Sequence, residues 1–266
     1  MLVVALLLFL SFSCNKIKRI LFYPPSVDMG NTMTVTPGQS FNHSVYGTLL
    51  KKNVSREGRV NYQGFKDSEN ALNHYLELLA KQKIKLLSSH EQLAFLINAY
   101  NACTIKLILT HTNVKSIRDI EAGKRWKLKF VRLSTGVFSL NEVEHELIRR
   151  KFAEPRVHFA LVCASKSCPP LRNEEYRGEK LNAQLDDQAR RFLSKKNNAF
   201  YSETAKTLYL NAIFDWYRGD FTTSYNGVLN FVENYLPGGI KSQVHENNKN
   251  IKIEFLDYDW ALNGSW

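Results

Sequence analysis

The sequence predicts a helix-rich α+β fold: a single domain around a small mixed β-sheet, with a central helix over residues 89–111. Three observations carry that expectation. The chain has 266 residues, 44% of them hydrophobic, with 16 Phe and 12 Tyr, enough to fill a sizeable core. Helical stripes outnumber strand patterns. Strands and helices interleave irregularly, which argues against a regular doubly wound sheet. With 13 Gly and 7 Pro in all, extended low-complexity linkers are not expected.

Taken in order, residues 2–12 form an apolar run broken only at Ser11. Spanning a bilayer takes about 20 residues, so the run fits the hydrophobic region of a signal peptide over 1–13 better than an anchor. Leu10-Ser11-Phe12-Ser13-Cys14 reads as a loose lipoprotein box, with Cys14 as a lipidated amino terminus and the membrane reached through that anchor. A plain signal peptide and a retained helix are the other readings. Residues 14–40, with Pro24-Pro25 and Pro37-Gly38, read as a tether before a domain over 41–266.

Within that domain, Leu72, Tyr75, Leu76 and Leu79 mark a helix ending near residue 83. Ser89 and Gln92 form a capping-box pattern before Leu93, Leu96, Ile97, Tyr100, Thr104, Leu107 and Ile108. This second helix is apolar around most of its circumference and should be central. Ser134-Thr135-Gly136 joins a hairpin over 126–133 and 137–140, and Ser139 with Glu142 caps a helix to residue 150. Residues 158–163 are apolar on both faces, as in a buried strand. A helix over 178–195, a strand over 207–210, helices over 212–217 and 228–236, and a strand over 251–255 complete the chain.

Lys and Arg number 36 against 25 acidic residues, a net charge of +11. The bases are dispersed among acids and no nucleic-acid motif is present, so a nucleic-acid partner is not expected. A solvated basic surface, or attraction to anionic lipid or envelope polymers, accounts for the excess. Walker, dinucleotide and His-Glu-x-x-His strings are absent from the sequence, and no cofactor is expected.

The chemistry concentrates in residues 156–170, Arg-Val-His-Phe-Ala-Leu-Val-Cys-Ala-Ser-Lys-Ser-Cys-Pro-Pro. Thiol and imidazole are the side chains nearest to reactivity at neutral pH. Cys163 and Cys168 are spaced neither as Cys-x-x-Cys nor as the phosphatase Cys-x5-Arg, since residue 169 is Pro. Two readings follow. In one, Cys163 and Cys168 form a structural disulfide, which export would favour. In the other, Ser165, Lys166 and Ser167 make an electropositive turn whose N–H groups lower a thiol pKa and stabilise an oxyanion.

Strand alternation would turn His158 away from Cys163, leaving His145 on a separate helix as the better base and His158 as a core histidine bound to a carboxylate. The same alternation, and the lack of a second cysteine pair, argues against zinc on Cys163, Cys168, His158 and His145. Glu91, Asn98 and Asn101 share a helical stripe, either as a buried network fixing loops or as the group that orients a catalytic imidazole. Glu144 and His145 read as a solvated helix face, and Cys103 as a small buried hydrophobe.

The strings 91–101 (EQLAFLINAYN), 140–149 (LNEVEHELIR), 157–172 (VHFALVCASKSCPPLR) and 253–263 (IEFLDYDWALN) together resemble the bacterial and plant family of domain of unknown function 547, over about 45–263. The resemblance implies that Glu91, Asn98, Asn101, His145, His158, Cys163, Cys168 and Pro169 belong to the family's hallmark. Leu96 and Cys103 depart from it, where the pattern favours Trp and an aliphatic residue. The family carries no established reaction. Some similar proteins are fused to glutaredoxin-type domains, which favours a thiol or disulfide substrate slightly over a peptide bond.

The expected function is therefore an exported envelope protein, periplasmic or outer-membrane-associated, with a thiol-centred site for thiol–disulfide chemistry or for a cysteine-dependent hydrolase or transferase. Cys163 or Cys168 would be the nucleophile, with His145, His158, Asn98 and Glu91 in support and Asn101, Ser165 and Lys166 binding. The partner would be a small molecule or an envelope protein. A non-catalytic binding or scaffold module with a disulfide-stapled loop is the alternative.

Overall fold

The computed structural model describes residues 38–247 and 251–266. The expected signal peptide, Cys14 and residues 14–37 of the expected tether lie outside the described residues. The last three tether residues are tied to the body. Gln39 donates its N–H to Leu86 at 3.0 Å and accepts from Ser88 N–H at 3.2 Å.

The fold is helix-rich α+β. Helices α1 (Ser44–Asn53), α2 (Tyr62–Asp67) and α3 (Glu69–Lys81) pack around α4 (Ser89–Thr110), with the two-residue strand β1 (Val60–Asn61) between α1 and α2. The cap of α4 sits one residue earlier than the sequence pattern suggests. Ser88 Oγ accepts from Glu91 N–H at 3.3 Å, while Gln92 turns back to donate to Leu87 O at 2.9 Å. By length and composition α4 could cross a membrane, but it is buried inside the protein. Each of its fully buried Leu, Ile or Phe side chains contributes about 1.5–3 kcal/mol.

The hairpin forms as β2 (Val131–Leu133) and β3 (Gly136–Phe138), antiparallel, with Leu133 opposite Gly136. Gly136 takes φ +146, which suits glycine at the turn. Ser139 and Glu142 make the predicted capping box, opening α5 (Leu140–Glu142), which widens into π-helical turns over Val143–Arg149. Such turns often mark functional positions.

The strand expected over 158–163 does not form. Pro155–Phe159 is a 3-10 helix, with Pro at its first turn and the Glu154 carboxylate accepting from Arg156 N–H at 3.1 Å. The segment is apolar on all sides because it lies between two cores. Phe159 packs with Phe192, Phe214, Phe221 and Phe231, whereas Val157, Ala160, Leu161 and Val162 join the cluster around α4. Double-sided burial mimicked the pattern of an interior strand, and the alternation argument against His158 falls with it.

Helix α6 (Leu181–Leu193) covers this segment. Strands β4 (Ala199–Ser202) and β5 (Thr207–Asn211) pair antiparallel. Helices α7 (Ile213–Trp216), α8 (Arg218–Tyr225), α9 (Val228–Val232) and α10 (Gly238–Asn247) then precede β6 (Lys252–Leu256), which pairs parallel with β5. A parallel pair requires such a crossover. Finally β7 (Gly264–Ser265) runs parallel to β1. Just before it, the tail fastens the cysteine loop: Lys166 N–H donates to Ala261 O at 2.8 Å, Ser167 N–H to Asp259 O at 3.2 Å, and Asn263 N–H to Ala164 O at 3.1 Å.

Candidate active site around Cys163

Asn101 holds the loop that leads to Cys163. Its amide donates to Ala160 O and accepts from Val162 N–H, both at 2.9 Å, acting as a surrogate peptide where no strand neighbour exists. Gln188 on α6 donates to Phe159 O at 3.1 Å and to Pro170 O at 2.5 Å, clasping the loop from the other side. Directly after Cys163, Ala164 adopts φ +61. A left-handed non-glycine residue costs about 1–3 kcal/mol and persists only where its surroundings enforce it. The tail supplies that enforcement through Asn263 and Ala261.

Cys163 and Cys168 are both free thiols, so the expected disulfide is not formed. Cys168 Sγ accepts from Cys163 N–H at 2.8 Å and donates to Leu161 O at 3.8 Å, commitments that turn it toward backbone. Cys163 Sγ lies 3.0 Å from Ser165 Oγ and 3.2 Å from Tyr258 Oη, and the Ser165 hydroxyl donates to Tyr258 Oη at 2.9 Å. Burial opposes ionisation of Cys163. Hydrogen bonds from Cys168, Ser165 and Tyr258 outweigh it and hold this thiol below its ordinary range. Cys168 goes the other way, pushed up by burial and then by the neighbouring Cys163. The hydrogen bonds to Cys163 are the leading causes of its lowered pKa, where the sequence pointed to a histidine.

Cys163, Cys168, His145, His158, Glu144, Tyr100, Tyr217 and Tyr258 line one cavity of about 160 Å³, with Trp126, Trp216 and Trp260 also on its wall. Trp216 is half exposed and stacks on Trp260 at 5.8 Å, which gives the cavity an aromatic side.

His158 has the arrangement of an oriented base. Its Nε2 lies 2.7 Å from Asp220 Oδ2, and Arg149 grips the same carboxylate through Nε at 2.7 Å and Nη2 at 2.8 Å. Burial opposes ionisation of Asp220, but the bonds from His158 and Arg149 keep its carboxyl far below the usual range. An ionised carboxylate can only accept, so Nε2 carries the proton and Nδ1 is the nitrogen that can gain one. The ring stacks on Tyr217 at 3.8 Å, and Tyr217 in turn donates to Glu144 Oε1 at 2.6 Å.

His145 is placed differently from the expectation that it serves as base. Arg149 Nη1 lies 2.7 Å from its Nδ1. A guanidinium can only donate, so the neutral ring keeps its hydrogen on Nε2. Burial first, then the Arg149 cation, lowers its pKa against the pull of Glu144 and Asp220. It is a hydrogen-bond donor into the cavity rather than a proton acceptor. Glu144, expected on a solvated face, is buried and accepts from both Tyr100 and Tyr217.

Glu91 and Asn98 are not brought to this cavity. Glu91 is nine residues before Tyr100 on α4, roughly 13 Å along the helix axis. Its carboxylate accepts from Gly178 N–H at 2.6 Å and Phe41 N–H at 3.3 Å, and lies 3.4 Å from His43 Nε2. Asn98 donates to Tyr176 O at 2.8 Å and accepts from Tyr176 N–H at 3.0 Å. Both fasten loops, and neither orients an imidazole of the site. Lys166 is also outside the cavity, with its side chain 62% exposed and 4.0 Å from Asp259.

Asp220, Arg149, Tyr217 and Tyr258 were not identified from sequence. Tyr258 lies in the 253–263 string, and Asp220 closely follows the helix predicted over 212–217, but neither position carries a spacing that ties it to Cys163. Residues 84–193 match the family model described as protein of unknown function, DUF547. The stretch contains Glu91, Asn98, Asn101, His145, His158, Cys163 and Cys168, while Asp220 and Tyr258 lie beyond it. No curated protein and no solved structure matches the chain.

Proposed function

We propose that the chain is a cysteine-dependent acyl transferase or hydrolase, with Cys163 as nucleophile, His158 as base and Asp220 as the group that orients it. One observation carries the reading: a thiol held below its ordinary pKa and an imidazole fixed by a carboxylate open onto the same cavity. His158 Nδ1 takes the thiol proton and Cys163 Sγ bonds to the substrate carbonyl carbon. The oxyanion is met by the Tyr258 hydroxyl on the cavity wall, and His158 returns the proton to the departing group. Water, deprotonated by His158, then cleaves the thioester and restores the thiol. His145 Nε2–H is a further donor for the bound substrate.

A second reading rests on Cys168, whose sulfur accepts from the N–H of Cys163 and whose own pKa is pushed up. In that asymmetric pair, Cys163 thiolate attacks a substrate disulfide and releases one thiolate. Cys168, losing its proton to His158, then displaces the other thiol and closes a Cys163–Cys168 disulfide.

The reduced protein tests both readings with iodoacetamide and p-nitrophenyl acetate. Acyl transfer requires Cys163 to be alkylated near neutral pH, a stoichiometric burst of nitrophenolate, and survival of that burst in Cys168→Ala. Exchange requires reduced Cys168→Ala to attack oxidised glutathione, release one glutathione thiolate and keep the other half as a trapped mixed disulfide on Cys163. If Cys163 is inert near neutral pH, both fail and a binding module is left. Export and lipidation at Cys14 belong to the same proposal. Mass spectrometry of the native amino terminus tests them: an uncleaved chain refutes export by a signal peptide, and a mature chain beginning at any residue but a lipid-bearing Cys14 refutes the lipidation.

A further inference from the structure

On its opposite face α4 borders a second cavity of about 820 Å³, within the size range of about 300–1,000 Å³ usual for small-molecule sites. Its floor is apolar: Leu79 of α3, Ala99, Cys103 and Leu107 of α4, and Val131 and Leu133 of β2. Ala99, Cys103 and Leu107 recur every four residues and so share one helix face, whereas Tyr100 and Asn101 turn toward the thiol site. The rim is charged. Lys106 is paired with Glu69 at 2.6 Å and Lys129 with Glu142 at 3.0 Å. The side chains of Lys81, Arg132 and Glu77 line the cavity and make no ion pair or hydrogen bond to another described residue. Two uncommitted cations against one uncommitted carboxylate leave a rim suited to a single negative charge.

We propose that this cleft binds a long-chain carboxylate of the fatty-acid class. The acyl chain lies on Ala99, Cys103 and Leu107, and the head group meets Lys81 and Arg132. An apolar floor alone would accept any lipid tail. The rim selects the head: an alcohol leaves the cations unused, and a phosphate dianion meets Glu77 with twice the charge. The assignment does not depend on the thiol chemistry, because none of these residues lines the Cys163 cavity.

The test uses the full chain with the fluorescent fatty acid cis-parinarate, displaced by palmitate, hexadecanol or palmitoyl lysophosphatidate. Saturable binding displaced most strongly by palmitate is expected. The charge-reversed pair Lys81→Glu with Arg132→Glu should weaken palmitate about tenfold and leave hexadecanol unchanged. Ala80→Phe, on the cavity wall, should weaken every ligand, and melting curves should show both variants folded. Cys163→Ala should bind as the parent does. Absence of saturable displacement, unchanged palmitate affinity in the charge-reversed protein, or loss of binding in Cys163→Ala would overturn the site. Stronger displacement by lysophosphatidate than by palmitate would overturn the carboxylate assignment.

Discussion

The two halves of α4 carry the same device and use it differently. Toward its amino-terminal end, Asn98 exchanges two hydrogen bonds with the backbone of Tyr176, and Glu91 gathers the N–H groups of Phe41 and Gly178. One turn further on, Asn101 exchanges two hydrogen bonds around Leu161. In both places a buried side chain replaces the backbone partner that irregular chain lacks inside a core. The difference lies in what the clasped segment delivers. The segment held by Asn98 ends in closely packed chain, since a Cβ on Gly178 would meet Glu91 backbone at 2.7 Å. The segment held by Asn101 ends in a strained residue beside a thiol at a cavity. A buried polar stripe on a helix thus reports loop anchoring, and reactivity depends on what the anchored loop carries.

The largest effect that would break this comparison lies in the residues around the cavity. Asp220→Asn leaves His158 without the anion that fixes its Nε2 proton, so the acylation rate should fall on the order of 10²- to 10⁴-fold. The same variant probes pH dependence. The folded carboxyl of Asp220 lies below the unfolded value, about 3.9. Its stabilising contribution is therefore complete above that value and is lost as pH falls through the folded pKa. Urea melts of the parent and Asp220→Asn should differ most near neutral pH and converge in strong acid. A gap that widens on acidification would contradict the ion pairing.

A smaller effect separates the two asparagines. Asn98→Ala and Asn101→Ala should each cost about 1–3 kcal/mol in denaturant unfolding, because each leaves a buried donor and acceptor unpaired. Only Asn101→Ala should also slow alkylation of Cys163, by loosening the loop that places it. Equal reactivity of the two variants would erase the functional distinction between the ends of the helix.

The sequence made α4, the Ser139 cap, the hairpin and β6 legible because each is encoded locally, by periodicity, a cap residue or a turn. It misled at 158–163, where burial between two cores produced the apolar pattern of a strand in a segment that Pro155 and Glu154 set into a 3-10 turn. The site was half legible. Cys163, Cys168 and His158 stood out by residue type. Asp220 and Tyr258, 62 and 95 residues from their partners, reach the site only through tertiary packing. His145 stood out as well, but its role is inverted by Arg149 four residues later, a contact made on the turns of its own helix.

The mildest perturbation tests the thiol itself. Tyr258 Oη sits 3.2 Å from Cys163 Sγ and shares a hydrogen bond with Ser165. Burial works against the thiolate, and this hydroxyl is one of several donors that reverse the balance. Tyr258→Phe keeps the ring against Trp216 and Trp260 and removes the hydroxyl that donates to Cys163 and accepts from Ser165, so folding should change little while the thiol pKa moves up. A thiol that the fold shifts down from about 8.5 adds stability above that pH, and the contribution is lost as pH falls through the folded pKa. In Tyr258→Phe that gain at alkaline pH should shrink. Alkylation near neutral pH should slow by roughly a factor of a few, as expected for one hydrogen bond to a charged group shared among several donors. The pH profile of iodoacetamide alkylation reads this directly: the variant's midpoint should lie above the parent's. Coincident midpoints would assign the lowered pKa to Ser165 and Cys168 alone, and leave Tyr258 as part of the aromatic wall.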